Sequence, residues 1–300
     1  MSTPEPTGPA DTPVPVCYRH PGRETYIRCT RCERPICPDC MISASVGFQC
    51  PECVAEGRAE VRPVVTRLGA RAVARPYVTF TLIALNVAVY ALTLAAPTDP
   101  STGLDTATAD YSLWPFGVAL YDQYYRLLTA MFLHGSLTHI AFNMLALWII
   151  GPQLELLLGH VRYGVLYLVA GLGGSVASFW FSPPNIVGVG ASGAIFGLMG
   201  AAVVVARKLD LDLRPFLWII VLNVVIGFVL PSIDWRAHLG GLVTGAVLGG
   251  LFAYAPARIR VPVQVAGVAL VLALLVVATL QRDAAITAQF AGILGGVTGP

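Results

Sequence analysis

The chain has 300 residues, of which 56% are hydrophobic and only 12% are charged, and its formal net charge is +2. In ordinary soluble domains roughly a quarter of the residues are charged. The low charged fraction here therefore excludes an ordinary soluble protein and indicates one that crosses a membrane several times. A net charge so close to zero gives no reason to expect a nucleic-acid partner. We therefore predict an all-α polytopic membrane protein.

The N-terminal region differs from the rest of the chain. Residues 1–16 are rich in proline and threonine without an apolar core, which predicts a disordered tail and no signal peptide. All seven cysteines lie between Cys17 and Cys53, and with His20 they form four pairs, each with two intervening residues. The pairs are Cys17/His20, Cys29/Cys32, Cys37/Cys40 and Cys50/Cys53. An odd number of cysteines in such pairs indicates metal ligands rather than disulfides.

Eight ligands are enough for two closed tetrahedral zinc sites, so we assign residues 17–56 to a two-zinc module. The short gaps favour interleaving, in which the first pair joins the third and the second joins the fourth. The spacing resembles that of the B-box family of zinc fingers, with Cys50 and Cys53 where the commoner form has histidines. A segment this short cannot bury enough apolar area to fold alone, so we expect two structural Zn²⁺ ions. The residues do not identify a protein partner for the module.

Seven apolar stretches follow the module and a basic linker at residues 57–76, and their lengths are typical of membrane helices. They cover residues 77–96, 137–154, 163–181, 191–206, 215–230, 237–254 and 262–280. We predict a seven-span membrane domain at residues 77–280 and an extracytoplasmic tail at residues 281–300.

The loop charges predict one orientation, because lysine and arginine collect on the cytoplasmic side of a membrane. The loops on the side of the linker contain His160, Arg162, Arg207, Lys208, Arg214, Arg258 and Arg260. The opposite loops contain Arg126, Arg236 and Arg282 together with Asp99, Asp105, Asp110, Asp122, Asp234 and Asp283. We therefore expect a plasma-membrane protein with the N-terminus and zinc module in the cytosol, which also suits reduced cysteines.

Two of the stretches have a face of small residues, which lets a second helix approach to backbone contact. The glycines are Gly193, Gly197 and Gly200 in the fourth stretch and Gly241, Gly245 and Gly249 in the sixth. Ser192 lies near the start of the fourth stretch and His238 near the start of the sixth. If the two faces pack together, Ser192 lies beside His238.

The second, fourth and sixth stretches run from the outer face inwards, so the polar residues at their beginnings lie at one depth. A neutral imidazole can take the proton of a serine hydroxyl, and neither the fourth nor the sixth stretch contains Asp or Glu. We therefore predict a catalytic dyad of Ser192 and His238. His139 and Asn143 of the second stretch, with the backbone N–H of Ser192, are the candidate donors to an oxyanion.

These polar residues also have plainer interpretations. Ser192 could be one more small packing residue, and His139 and Asn143 could form interhelical hydrogen bonds. The common depth of the group favours the site. We expect His134, in the loop before the second stretch, to be structural, and we assign no role to His160.

Three motifs resemble the signature elements of the rhomboid intramembrane serine proteases, over roughly residues 77–280. They are Gly190-Ala191-Ser192-Gly193, His134-x4-His139-x3-Asn143 and Ala237-His238-x2-Gly241-x3-Gly245, and Tyr125-Arg126 resembles the family's aromatic–arginine pair. The resemblance implies a six-helix core with one helix added at the C-terminal end. It also implies Ser192 as nucleophile, His238 as general base, and His139, Asn143 and the Ser192 N–H as the oxyanion hole.

The resemblance further implies a serine endopeptidase that needs no cofactor for catalysis. Its partners would be membrane lipid and single-pass transmembrane substrates, cut near the outer face beside a small residue and close to helix-breaking residues. The fifth stretch and residues 231–236 would be the gate and the cap. Phe196 occupies a position often held by a tyrosine that stacks on the histidine, so the stack is kept and a hydroxyl is lost.

Two other functions compete with this one. An inactive rhomboid-like scaffold that binds transmembrane clients predicts loss of the serine or the histidine, and both are present. A transporter or channel would need charged residues along a pathway, and the apolar stretches carry none at mid-depth.

Overall fold

The computed structural model describes residues 14–61, 64–100, 103–212, 214, 217–218, 220–221, 225 and 233–297. They form two compact units, which divide between Pro63 and Val64. Most of the predicted N-terminal tail lies outside the described residues, and so do most of the fifth apolar stretch and the first residues of the predicted cap.

The first unit has little regular structure. It contains the antiparallel strands β1 (Ile42–Ser43) and β2 (Phe48–Gln49), a 3₁₀ turn (Pro38–Cys40) and α1 (Pro51–Glu60). Gly47 lies in the tight connection between the strands with a φ of +68°. The buried core consists of cysteine side chains and Ile36. Such a core buries little apolar area, so the ligand pairs are the groups that can hold the unit together.

The second unit is built from helices. In chain order they are α2 (Tyr77–Ala95), α3 (Thr106–Tyr111), α4 (Pro115–Leu120), α5 (Arg126–Thr129), α6 (Leu137–Leu158), α7 (His160–Phe181), α8 (Ser192–Lys208), α9 (Trp235–Tyr254) and α10 (Arg260–Val297). Five helical segments among the described residues are long and apolar enough to cross a membrane. They are α2, α6, α7, α9 and the segment Ala257–Phe290, which contains most of α10. The prediction of an all-α polytopic membrane protein is confirmed.

The helix that begins at Ser192 lies at the centre of the second unit. Most residues of α8 are buried, and α6, α7 and α9 pack around it. By contrast, only 11% of the most apolar part of α10 is buried. Membrane lipid can cover such an exposed apolar surface, so α10 is a peripheral helix.

Several helices continue beyond the predicted apolar stretches. α6 passes Pro152 and ends at Leu158, α7 begins at His160, and α10 continues to Val297 instead of ending near residue 280. Charged and polar residues at these ends lower the hydropathy without ending the helix, because Glu, Arg and Gln are good helix formers. The C-terminal tail is therefore helical as far as Val297.

Part of the predicted basic linker is folded onto the second unit. Thr66 Oγ1 donates a hydrogen bond of 2.8 Å to the carbonyl oxygen of Leu157, near the C-terminus of α6. Arg162 donates to the carbonyl oxygen of Leu68 at 3.1 Å, and the Leu68 side chain is buried. The last carbonyls of a helix have no partner within it, so this segment satisfies one of them and closes the end of α6.

The N-terminus of α2 is capped by a residue of another helix. Pro76 precedes α2 and offers no side-chain cap. The buried carboxylate of Glu155, in α6, accepts hydrogen bonds from the N–H of Val78 (2.9 Å) and from the N–H and hydroxyl of Thr79 (2.8 and 2.7 Å). His160 Nδ1 lies 2.5 Å from the same carboxylate. These contacts fasten α2 to α6.

The α2–α6 loop, residues 96–136, contains α3, α4, α5 and a 3₁₀ turn (Ala130–Phe132). It is organised around Arg126, which is buried. The guanidinium donates to Gln123 Oε1 at 2.6 Å and to the carbonyl oxygens of Ala109 and Ser112 at 2.9 Å each. Tyr125, the other member of the predicted pair, is exposed and donates to the carbonyl oxygen of Asp110.

Candidate active site

Ser192 is the first residue of α8, and the backbone immediately before it has a conformation that favours glycine. Gly190 has a φ of +136°. A β-carbon at Gly190 would lie 2.9 Å from Cε1 and Nε2 of His139 and 3.5 Å from Ser192 Oγ. The position therefore needs glycine for its backbone and for its neighbours. The His139 ring and the Ser192 hydroxyl lie against the same residue, so α6 and α8 bring them together.

The α2–α6 loop holds the segment that leads into Ser192. Leu113 and Gly188 exchange two backbone hydrogen bonds of 2.9 and 2.8 Å, as in an antiparallel bridge. Two residues later, the N–H of Gly190 donates to the carbonyl oxygen of Ala130 at 2.9 Å. The segment that precedes Ser192 is therefore held by the loop at two residues, Gly188 and Gly190.

α8 and α9 pack through their glycines, as the periodicity predicted. A β-carbon at Gly241 would lie 1.9 Å from the carbonyl oxygen of Gly193, and one at Gly245 would lie 2.0 Å from that of Gly197. Real β-carbons do not come so close to backbone atoms, so the two helices are in backbone contact. This prediction is confirmed.

His238 lies in the first turn of α9, on the side of α8. Its ring stacks on the ring of Phe196, with centroids 4.1 Å apart and an interplanar angle of 11°. Phe196 follows Ser192 by one helical turn. The imidazole therefore lies beside the first turn of α8, and the expected stack is present. Both Ser192 and His238 are partly exposed, so a reactant can reach them.

The proposed oxyanion donors lie in and beside α6. The side-chain nitrogen of Asn143 is buried and has no hydrogen-bond partner among the described residues. The Ser192 N–H belongs to the first turn of α8, where N–H groups lack partners within the helix. A buried donor without a partner is costly, so the Asn143 amide is free to donate to a group that enters the site.

His134 is buried and stands edge-on to His139, with ring centroids 5.1 Å apart. Neither of its ring nitrogens has a hydrogen-bond partner within the described part of the chain. Its packing against His139 is compatible with the structural role that we expect for it.

Asp234 is a residue of this site that the sequence analysis did not assign. Its side chain caps the N-terminus of α9 by accepting from the N–H groups of Arg236 (3.1 Å) and Ala237 (3.3 Å). The Ser178 hydroxyl of α7 donates to the same carboxylate. An Asp just before an apolar helix is a recognised N-cap signal, and it could have been found on that ground. Asp234 fixes the turn that carries His238.

The first unit contains two clusters of metal-ligating side chains with the interleaved composition that the spacing favoured. They are Cys17, His20, Cys37 and Cys40 in one cluster and Cys29, Cys32, Cys50 and Cys53 in the other. In each cluster the ligand atoms all lie within 4.8 Å of one another.

The distances within these clusters fit tetrahedral zinc. A Zn–S bond of about 2.3 Å places two thiolate sulfurs about 3.8 Å apart, and the Cys32 and Cys50 sulfurs are 3.7 Å apart. In the other cluster, His20 Nδ1 lies 3.2, 3.4 and 3.8 Å from the sulfurs of Cys37, Cys40 and Cys17. Zinc bonds of about 2.0 and 2.3 Å predict about 3.5 Å for such a nitrogen–sulfur pair.

One charged side chain lies against the four-cysteine cluster. The Arg34 guanidinium lies 3.2 Å from the Cys32 sulfur and 3.6 Å from the Cys50 sulfur, and it forms an ion pair with Glu52. Four thiolates around a divalent ion leave a double negative charge, which a neighbouring guanidinium offsets.

Comparison with known families bears on the second unit. Residues 121–255 match the family model of the Rhomboid domain. The chain contains a domain of the rhomboid family. The match includes His139, Asn143, Ser192 and His238, whereas the zinc-ligand clusters and α10 lie outside it.

Individual relatives match similar lengths of chain. Rhomboid protease GluP of Bacillus subtilis is 38% identical over 187 residues, which are 60% of this chain and 35% of the relative. The mitochondrial RHOMBOID-like protein 6 of Arabidopsis thaliana is 41% identical over 142 residues, 45% of this chain and 46% of the relative. Rhomboid-type serine protease 2 of Emericella nidulans is 34% identical over 146 residues, 46% of this chain and 29% of the relative. The chain thus spans less than half of each of these relatives.

Proposed function

We propose that this protein is an intramembrane serine endopeptidase in which Ser192 is the nucleophile and His238 is the general base. The observation that carries the proposal is the backbone contact of α8 with α9, together with the stack of Phe196 on His238 one turn after the serine. The membership of residues 121–255 in the rhomboid family supports it, as do relatives that are themselves described as proteases.

The proposed reaction is acyl transfer. His238 takes the proton of the Ser192 hydroxyl while the oxygen attacks the carbonyl carbon of the scissile peptide. The negative charge that forms on the former carbonyl oxygen accepts hydrogen bonds from the Ser192 N–H, His139 and Asn143. His238 then passes its proton to the leaving nitrogen, and the peptide bond breaks to leave an ester on Ser192. Water, deprotonated by His238, hydrolyses that ester and regenerates the serine.

The proposed substrates are single-pass transmembrane proteins. Ser192 and His238 lie at the beginnings of their helices, which supports chemistry near one face of the membrane rather than at its centre. The loop charges favour the outer face of the plasma membrane, with the N-terminus in the cytosol and the C-terminus outside. A peptide bond inside a regular helix is shielded, so a substrate with helix-breaking residues near this face is the expected one.

The first unit is proposed to hold two structural zinc ions. Cys17, His20, Cys37 and Cys40 would bind one, and the other four cysteines would bind the second. The support is the fit of the nitrogen–sulfur and sulfur–sulfur distances to tetrahedral zinc. The ions would supply folding energy and take no part in peptide cleavage.

The test is cleavage of a panel of single-pass substrates by the purified full-length protein in detergent. Ser192→Ala and His238→Ala should each abolish cleavage, and the double variant should be no worse, because the two residues act as a unit. Asn143→Ala should slow cleavage by about a hundred- to a thousandfold, the effect of one lost oxyanion donor. Ser175→Ala, at a buried serine of α7, is the matched control and should cleave normally.

A fluorophosphonate probe gives a second readout that needs no substrate. It should label Ser192 in the native protein and fail to label the His238→Ala variant. Robust cleavage by the Ser192→Ala protein, with contaminating proteases excluded, would refute the dyad. Tight binding of transmembrane clients without cleavage or labelling would favour the inactive scaffold instead.

A further inference from the structure

The last helix is much longer than a membrane requires. α10 has 38 residues and is about 57 Å long, whereas the hydrocarbon core of a bilayer is about 30 Å thick. Arg282 and Asp283 are the only charged residues after Arg260, and they mark the point where the helix leaves the apolar stretch. We call residues 282–290 the α10 extension. It lies outside the region that matches the rhomboid family.

Polar contacts join the α10 extension to the α2–α6 loop. The Tyr124 hydroxyl donates to the Asp283 carboxylate at 2.5 Å. This hydrogen bond, with partial burial, raises the pKa of Tyr124 to about 12, so the phenol keeps the proton that it donates. One turn further along, the Thr287 hydroxyl donates to the carbonyl oxygen of Ala119 at the end of α4, at 3.2 Å.

Apolar contacts lie between and beyond these hydrogen bonds. Ile286 is fully buried and packs in a cluster with Val118 and Leu127 of the loop. The rings of Phe290 and Phe116 meet edge to face, with centroids 4.9 Å apart. The α10 extension therefore covers α4 along two of its own helical turns, which is more than a chance contact of a free tail would give.

The same loop holds the segment that ends at Ser192. Leu113, just before α4, forms the bridge with Gly188, and Ala130, just after α5, accepts from the Gly190 N–H. Between these two anchors lies the part of the loop that the α10 extension covers. Without that cover, α4 would have one face free, and the backbone around Ser192 would share its motion.

We propose that the α10 extension is a positioning element for the nucleophile, acting on Ser192 through the α2–α6 loop and residues 188–190. Its residues touch neither substrate nor the reacting atoms. The inference rests on the proposed role of Ser192. A hydroxyl displaced by a fraction of an ångström attacks poorly, so the effect belongs to the chemical step rather than to substrate binding.

The test uses matched substitutions in the full-length protein. Thr287→Val removes the hydroxyl that bonds Ala119. Thr279→Val makes the same change about 12 Å away along the same helix, where the hydroxyl donates to the carbonyl oxygen of Leu275 in its own helix. Asp283→Ala removes the acceptor for Tyr124, and Asp283→Asn keeps an acceptor oxygen and serves as the conservative rescue.

We expect Thr287→Val and Asp283→Ala to slow both fluorophosphonate labelling of Ser192 and kcat by about three- to tenfold, the range for one lost hydrogen bond, with KM unchanged. Asp283→Asn and Thr279→Val should stay within about twofold of the native protein. Hydrogen exchange of the peptide that covers residues 183–192 should be faster in Thr287→Val and unchanged in Thr279→Val.

Two results would overturn the inference. One is unchanged labelling and exchange in Thr287→Val and Asp283→Ala, and the other is a change in KM alone, which would indicate substrate docking. Hydrogen exchange does not require proteolytic activity, so it tests the effect of the α10 extension on residues 183–192 even if the protein cleaves no substrate. If the fluorophosphonate probe did not label Ser192 in the native protein, that result would instead count against the proposed function.

Discussion

The ring of Phe196 lies nearly parallel to the imidazole of His238, with centroids 4.1 Å apart and planes inclined by 11°. A base must keep one ring nitrogen directed at the hydroxyl that it deprotonates, and a stacked neighbour restricts rotation out of that plane. The stack joins α8 and α9 beside the residues of the proposed dyad, so it holds the base as well as the helices.

Phe196→Ala should therefore lower kcat by about three- to tenfold, because an aromatic pair contributes about 0.5–1.5 kcal/mol beyond its buried area. Phe196→Tyr, which keeps the ring, should retain the native rate. Steady-state cleavage of one transmembrane substrate measures both. Equal rates for the alanine and tyrosine variants would mean that the stack does not position His238.

Two glycines of α9 provide a matched pair for the helix packing. A β-carbon at Gly245 would lie 2.0 Å from the Gly197 carbonyl oxygen, whereas one at Gly250 would have no atom within 4 Å. Gly245→Ala should lower the free energy of unfolding by about 3 kcal/mol or more. Gly250→Ala should leave it unchanged or raise it by up to about 1 kcal/mol, because alanine is the better helix former. Thermal unfolding in detergent compares them, and equal stabilities would contradict the backbone contact.

The cap at Asp234 predicts a graded series. Asp234→Ala loses the hydrogen bonds to Arg236 and Ala237 and the contact with Ser178, and should cost about 1 kcal/mol or more of stability. Asp234→Asn keeps a capping oxygen and should lose much less. Unfolding temperatures, with labelling of Ser192 as the functional readout, test the series. An asparagine variant as unstable as the alanine one would argue against capping.

The two-zinc proposal predicts the metal content of the purified full-length protein. Metal analysis should give two equivalents of zinc, and Cys29→Ser should give one, because the cluster that contains His20 keeps all its ligands. A strong chelator should unfold the first unit, which has little apolar core of its own. One equivalent in the native protein would refute the two-site scheme.

The loop charges predict the orientation. A reporter fused before Cys17 should be active in the cytosol, and one fused after Pro300 should be active outside it. Both reporters on the same side would rule out seven membrane crossings, and with them the common depth of His139, Ser192 and His238. This experiment also covers the fifth span, which lies mostly outside the described residues.

Periodicity explains why much of the candidate site was predictable. The glycines of α8 and α9 recur at helical spacing, and spacing alone indicates a packing face. The glycines of α7 are less regular, yet α7 also packs on α9, since a β-carbon at Gly174 would lie 2.7 Å from the Ala237 carbonyl oxygen. The spacing of glycines therefore predicted the packing of α9 on α8 but not its packing on α7.

Contacts between distant residues could not be predicted in the same way. Glu155 caps α2, which begins 78 residues earlier in the sequence, by accepting hydrogen bonds from Val78 and Thr79. It can do so only because α2 and α6 are neighbours in space. The second apolar stretch was predicted to end at residue 154, just before Glu155. Likewise, nothing in the apolar pattern of α10 indicates that Asp283 meets Tyr124, 159 positions away.

The alternation of the ligand pairs along the chain has a consequence for how the first unit can be cut or transplanted. A single proteolytic nick between Cys32 and Cys37 would leave two ligands of each cluster on either fragment. Pairs arranged one after the other would instead survive such a nick as two intact halves. Neither metal cluster can therefore be separated from the other. Any segment that contains all four ligands of one cluster also contains at least two ligands of the other, so the clusters can be grafted onto another protein only together.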